Sequence, residues 1–284
     1  MLQPQEIKGL AGWVAFLSHA EIPVLKQTAR DLTVLYEDVE NISARAVTEI
    51  IARDPMMTVK LLRYLQSHKH SKQQHEVLQV EQALLMLGVE AFFKKIPPKP
   101  LMEEVLRGHM AALICFLHVV RRSHRASSYA LDWAVRLRDL HFEEVRIAAL
   151  LHDLAELLMW CFAPAEMLKI HTLQQQDKTL RSRAAQERVL GFALVDLQLA
   201  LAREWSLPKL LFTLMDDECA MQQRVRNVVL AVNLARHSAN GWDDAALPDD
   251  YREIGELLSM KPEDVMAVIG VEAGTVCDLD KPHP

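Results

Sequence analysis

The sequence predicts an all-α protein, a multi-helix bundle of about a dozen helices arranged as two packed helical subdomains. Three observations predict it. Apolar residues recur at three- and four-residue spacing along nearly the whole chain. Runs of β-branched alternation are almost absent, so no sheet is expected beyond a stray bridge. The nine glycines and twelve prolines in 284 residues are too few for a sandwich, a propeller or a disordered chain. Half of the residues are apolar, enough to fill one large core or two ordinary ones without disulfide or metal staples.

The elements follow in order. Leu10, Trp13, Val14, Phe16 and Leu17 form a first apolar stripe. Leu25, Leu32, Leu35 and Tyr36 form the next, after Pro23, a residue suited to a first helical turn. Val47, Ile50 and Ile51 line a short third helix. Asp54-Pro55 reads as N-cap and first residue of a fourth, whose inner face holds Val59, Leu62 and Leu65. Residues 66–76 are polar and carry His68, His70 and His75, so they read as a loop; 80–93 reads as a fifth helix. Ile96-Pro97-Pro98-Lys99-Pro100 is the clearest internal break, because proline lacks the N–H that a helix needs. Beyond it, helices are expected over 101–121, 123–138, 142–162 and 164–173. Polar 174–186 ends in another, and two more start at Leu207-Pro208 and near Met221, the last closed by Asn240-Gly241. Lys261-Pro262-Glu263-Asp264 opens a short final helix, its acids favoured by the helix dipole. The expected division is 1–96 as an N-terminal helical part, 97–238 as a second helical bundle, and 239–284 as an acidic segment with a short helix and a flexible tail.

Charge narrows the partners. The net charge is −6, and the whole excess sits at the end: residues 239–284 hold three basic and eleven acidic groups. Such a chain is not expected to bind duplex nucleic acid. Cys115, Cys161, Cys219 and Cys277 lie far apart with no C-x-x-C pair, which argues against a zinc ribbon or a disulfide framework. The N-terminus lacks a basic and apolar leader. The longest apolar stretches are 110–120, too short for a bilayer, and 147–165, which carries His152, Asp153 and Glu156. A soluble, cytoplasmic protein without membrane contact is expected.

The most pointed element is Leu150-Leu151-His152-Asp153-Leu154-Ala155-Glu156, set in apolar sequence. A His-Asp pair among leucines costs free energy unless it is bonded or metal-bound. Adjacent imidazole and carboxylate groups can chelate one cation, and Glu156 shares the face of His152. The same pair can equally orient backbone and donate a core hydrogen bond. Arg121, Arg122 and Arg125, with Arg136 and Arg138 beyond, form a basic patch whose guanidinium forks suit phosphate, or a solvated helix face. Trp133, Trp160 and Trp205 are spaced as core anchors. No glycine-rich phosphate loop or nucleophile elbow occurs.

These residues carry a family resemblance. Residues 150–156 resemble the "LLHDIGK" core of HD-superfamily domains, all-helical metal-dependent phosphohydrolases. Ile22-Pro23-Val24-Leu25, then Asp54-Pro55-Met56-Met57-Thr58-Val59-Lys60-Leu61-Leu62-Arg63, then Gln82-Ala83-Leu84-Leu85-Met86-Leu87-Gly88 are similar to three successive motifs of the HDOD domain. The resemblance spans about residues 10–237 and implies an HD-like second subdomain and a bacterial signal-transduction role, generally without catalysis.

Departures from the HD pattern shape what the resemblance implies. The metal of active HD domains is held by an early His, the HD pair and a distant Asp. Here His124 matches the first position, His152 and Asp153 the pair, and Asn233 stands where the acid belongs. Asp216, Asp217 and Glu218 fall where relatives often carry a paired histidine, and Glu156 falls where hydrolases often carry lysine. The resemblance therefore implies a regulatory module that meets other signalling proteins through helix faces. Its metal site of His124, His152, Asp153 and Asn233 would be vestigial, with no cofactor. The alternatives are a phosphohydrolase acting on nucleotides or cyclic dinucleotides with Mn, Mg or Fe, or a non-hydrolytic sensor holding an anionic small molecule on Arg121, His124 and Arg125.

Overall fold

The computed structural model describes residues 7–37, 42–68, 79–177, 179–215 and 222–271. Among them there is no strand, only one isolated parallel bridge between Val24 and Leu101, and seventeen α-helices. The chain is all-α, as its periodicity predicts. It divides into two compact units: Met1–Val120 with Asp153–Pro208, and Arg121–His152 with Lys209–Pro284. The divisions expected near residues 96 and 238 fall inside these units.

The N-terminal helices are α1 (Gly9–His19), α2 (Lys26–Tyr36), α3 (Ala44–Ile51), α4 (Pro55–Ser67), α5 (Val80–Leu87), α6 (Val89–Lys95) and α7 (Met102–Val105). Helix α4 begins as its sequence predicts: the Asp54 carboxylate accepts from the Met56 and Met57 amides at 2.9 and 3.2 Å, with Pro55 at the first position. Helix α2 starts later than expected. Pro23 and Val24 stay extended because Val24 donates to the Pro100 carbonyl and accepts from the Met102 amide, at 2.9 and 2.8 Å. The proline-rich 97–100 segment is thereby laced into the first unit. The expected fifth helix is two, because Gly88 takes a left-handed φ of 83° between α5 and α6. His70, His75 and most of the expected 66–76 loop lie outside the described residues.

Two boundaries correct the sequence reading in the middle of the chain. Helix α8 (Met110–Arg136) runs unbroken through Arg121–Ser123, since neither glycine nor proline interrupts it. The expected 142–162 helix is broken instead: α9 (Phe142–Leu151) stops, His152 and Asp153 form a turn, and α10 (Leu154–Phe162) resumes. Helices α11 (Pro164–Gln176), α12 (Ser182–Leu190) and α13 (Leu194–Glu204) complete the first unit. There α13 packs on α1 and on α10, and Phe16 meets Phe162 edge-on at 5.5 Å.

The second unit contains α9, α14 (Lys209–Leu214), α15 (Gln223–His237), α16 (Leu247–Leu258) and α17 (Pro262–Val268). Helix α15 packs on α9 and α16, and α16 on α17. The acidic segment is thus more structured than one short helix: Leu247, Tyr251, Ile254 and Leu257 of α16 are buried at helical spacing. The expected flexible tail, 272–284, lies outside the described residues.

Candidate functional site

Five of the predicted site residues, Arg121, His124, Arg125, His152 and Asn233, belong to the second unit. His124 sits half-buried on α8, His152 ends α9, and Asn233 lies half-buried on α15, the helix packed on α9. Arg121 is exposed. Arg125 is committed to the fold: it donates to the Ser238 carbonyl at 3.1 Å and the Tyr129 hydroxyl at 3.0 Å. Its guanidinium also lies over the rings of Tyr129 and Trp242, 5.8 and 5.5 Å from their centroids. Arg136 pairs with Asp132 on the helix surface at 2.6 Å, the ordinary fate of an exposed charge. Sequence reasoning missed Asn227, which is buried and donates to the Ala130 carbonyl at 3.1 Å. This bond ties α15 to α8.

Asp153 and Glu156 belong to the first unit. Asp153 occupies the N-cap position of α10 but does not cap it with its side chain. Buried Gln198 of α13 does so instead, its Oε1 accepting from the Ala155 amide at 2.9 Å. A cap supplied by another helix leaves no local sequence signal. Glu156 is half-buried and accepts from the Trp160 indole N–H at 3.3 Å.

Among the described residues no three His, Cys, Asp or Glu side chains stand close enough to hold a metal ion. The residues named from the resemblance supply one acid, Asp153, and a neutral amide, Asn233, where a second acid would balance a divalent cation. Asp216, Asp217 and Glu218 lie outside the described residues. His68 is exposed and stacks on Tyr64 at 4.0 Å.

The first unit also contains a cationic cluster that sequence reasoning passed over. Lys60 of α4 is only 5% exposed. Its ammonium donates to the Glu21 carboxylate and to the carbonyls of Lys99 and Ile22. Burial pushes its pKa down and Glu21 pulls it back up. One turn on, Arg63 donates to the Ala20 carbonyl at 2.8 Å and lies over Trp205, 5.5 Å from its centroid. A cavity of about 410 Å³ opens beside them, and Glu21, Lys60 and Lys95 also line a neighbouring groove. The one sequence signal for it is a lysine set among apolar residues, Val59-Lys60-Leu61-Leu62, and by identity alone that lysine is indistinguishable from a surface residue.

Comparison with known families places the chain. The HDOD domain model matches residues 22–219, more than half of its length, and the chain belongs to that family. The family is related to the HD superfamily. Among solved structures, the MmoQ response regulator of Methylococcus capsulatus aligns at a TM-score of 0.65 with 18% identity, over 89% of this chain and 99% of that one. A virulence factor from Campylobacter jejuni aligns at 0.61 with 17% identity, over 93% of each chain. At such identities the likeness establishes the fold. No curated protein matches the sequence.

Proposed function

We propose that this HDOD protein is a non-catalytic regulatory module that acts on other signalling proteins through its helical surfaces. The observation that carries the reading is a residue identity: Asn233 puts a neutral amide at the position where the HD pattern has an acid to balance a divalent cation. Metal-assisted hydrolysis requires a cation whose charge is balanced and whose open side meets substrate. The commitment of Glu156 to Trp160, and of Arg125 to Ser238 and two aromatic rings, supports the same reading, since neither side chain is poised for a phosphate.

The test is metal analysis of the purified chain together with a manganese-supplemented assay on cyclic dinucleotides and nucleoside phosphates. The expected result is no turnover, in the natural chain or in Asp153→Ala. Stoichiometric metal with turnover that vanishes in Asp153→Ala would overturn the proposal.

A further inference from the structure

We infer that the basic groove of the first unit, between α2 and the proline-rich segment, binds an extended acidic peptide of a partner protein. The inference rests on the regulatory reading above and gives it a place on the molecule. The groove encloses about 990 Å³. Lys26, Ala29, Arg30 and Thr33 line one side, three- and four-residue spacing that puts all four on one face of α2. Pro97, Pro98 and Pro100 line it with Lys99, and Lys95 stands at the end of α6.

Charge identifies the occupant. Lys26, Arg30, Lys95 and Lys99 are all exposed, and none forms an ion pair among the described residues. Of the two lining carboxylates, Glu21 is engaged by Lys60, which leaves Glu104, with Glu103 bonded to the Lys26 amide at the rim, against four cations. A groove with unpaired charge of one sign attracts the opposite sign and orients it. Its apolar walls, three prolines with Ala29 and Leu101, suit side chains between the acids of an extended chain.

Other ligands fit less well. Among the described residues no Phe, Tyr or Trp lines the groove to stack on a nucleobase. The amide of Lys26, at the start of α2, is taken by the Glu103 carboxylate at 2.9 Å, so backbone donors do not converge there on one phosphate. The walls are already held. Lys60 bonds the Lys99 carbonyl, and the Val24 bonds to Pro100 and Met102 fix the segment's end, so little ordering remains for binding to supply.

Fluorescence anisotropy of the whole chain with a labelled peptide alternating glutamate and leucine tests this. The expected result is saturable binding that weakens with added salt and falls about tenfold or more in Lys26→Glu/Arg30→Glu, which converts two attractions into two repulsions. Arg181→Glu/Arg188→Glu, an equal charge change on exposed residues at the N-cap and in the last turn of α12, is expected to leave binding intact. Absence of binding, or equal loss in both double variants, would overturn the inference. So would displacement of the peptide by inorganic phosphate or a single-stranded oligonucleotide at stoichiometric concentration. Failure here leaves the regulatory reading standing, because that reading falls only to metal-dependent turnover.

Discussion

A single carboxylate shows how much one residue can carry here. Asp54 is fully buried, and its side chain accepts from the amides of Met56 and Met57 on α4 and from the Leu25 amide at 3.0 Å, the residue that precedes α2. Burial raises its pKa above the ordinary carboxylate value, and the backbone donors pull it back. Removing it strands several buried N–H groups, so Asp54→Ala is expected to destabilise the protein by about 2 kcal/mol or more, read as a lowered urea midpoint. Asp54→Asn keeps one acceptor oxygen and is expected to cost less. The cap on α4 was legible in Asp54-Pro55, because a cap is a local pattern. The bond to Leu25 was not, since it joins residues 29 apart. Gln198, which caps α10 from α13, was illegible for the same reason.

At the scale of elements, two contacts hold α16 in the second unit. His237 at the end of α15 meets Asp250 in the first turn of α16 at 2.7 Å. The hydrogen bond to Asp250 raises the His237 pKa against the opposing effect of burial. A group raised above its unfolded value of 6.5 contributes stability that is complete below that pH and is lost as pH rises through the folded value. Burial also raises Asp250, so its linkage runs in the same direction: ionising it costs stability as pH rises. The melting temperature is therefore expected to fall as pH is raised from 6.5, and to fall less in His237→Gln. A pH series of thermal unfolding for both proteins checks this. Gly255 makes the second contact. A Cβ there would sit 2.7 Å from the Met260 carbonyl oxygen, in the turn leading to α17. Backbone must shift to admit it, so Gly255→Ala is expected to destabilise the protein by about 1–3 kcal/mol, with faster proteolysis of the C-terminal segment as the readout. Helix α16 escaped the sequence reading although Pro248-Asp249-Asp250 repeats the signal recognised at Pro262-Glu263-Asp264. Eleven acids in residues 239–284 dominate the segment's composition and mask the buried stripe of Leu247, Tyr251, Ile254 and Leu257.

The whole molecule is governed by how its charge is distributed. A net charge of −6 opposes duplex binding at long range, while the groove cations act locally and over distances shorter than a Debye length. No measurable affinity for duplex DNA is expected at physiological salt; a nanomolar complex in a titration at that salt would contradict this. No single helix among the described residues is long and apolar enough to cross a membrane. The buried faces of both units are built from the stripes that the sequence displays, Trp13 and Leu17 in α1 and Val225, Val228 and Val232 in α15 among them. Trp133, Trp160 and Trp205 are buried anchors, as their spacing indicates.

The sequence by itself determined the all-α class, the family and most helix cores, because helical periodicity, caps and prolines act within a turn or two of themselves. It also showed the amide at Asn233, a matter of residue identity alone. Tertiary structure decided where helices stop when no local breaker marks the end, as at the His152–Asp153 turn followed by the Gln198 cap. It decided which charges serve the fold, committing Lys60 and Arg125 to carbonyls and aromatic faces while leaving Lys26 and Arg30 exposed. The reason is physical: a charged side chain has the same identity in every environment, and only the packing around it settles whether its hydrogen bonds go to the protein or to a partner.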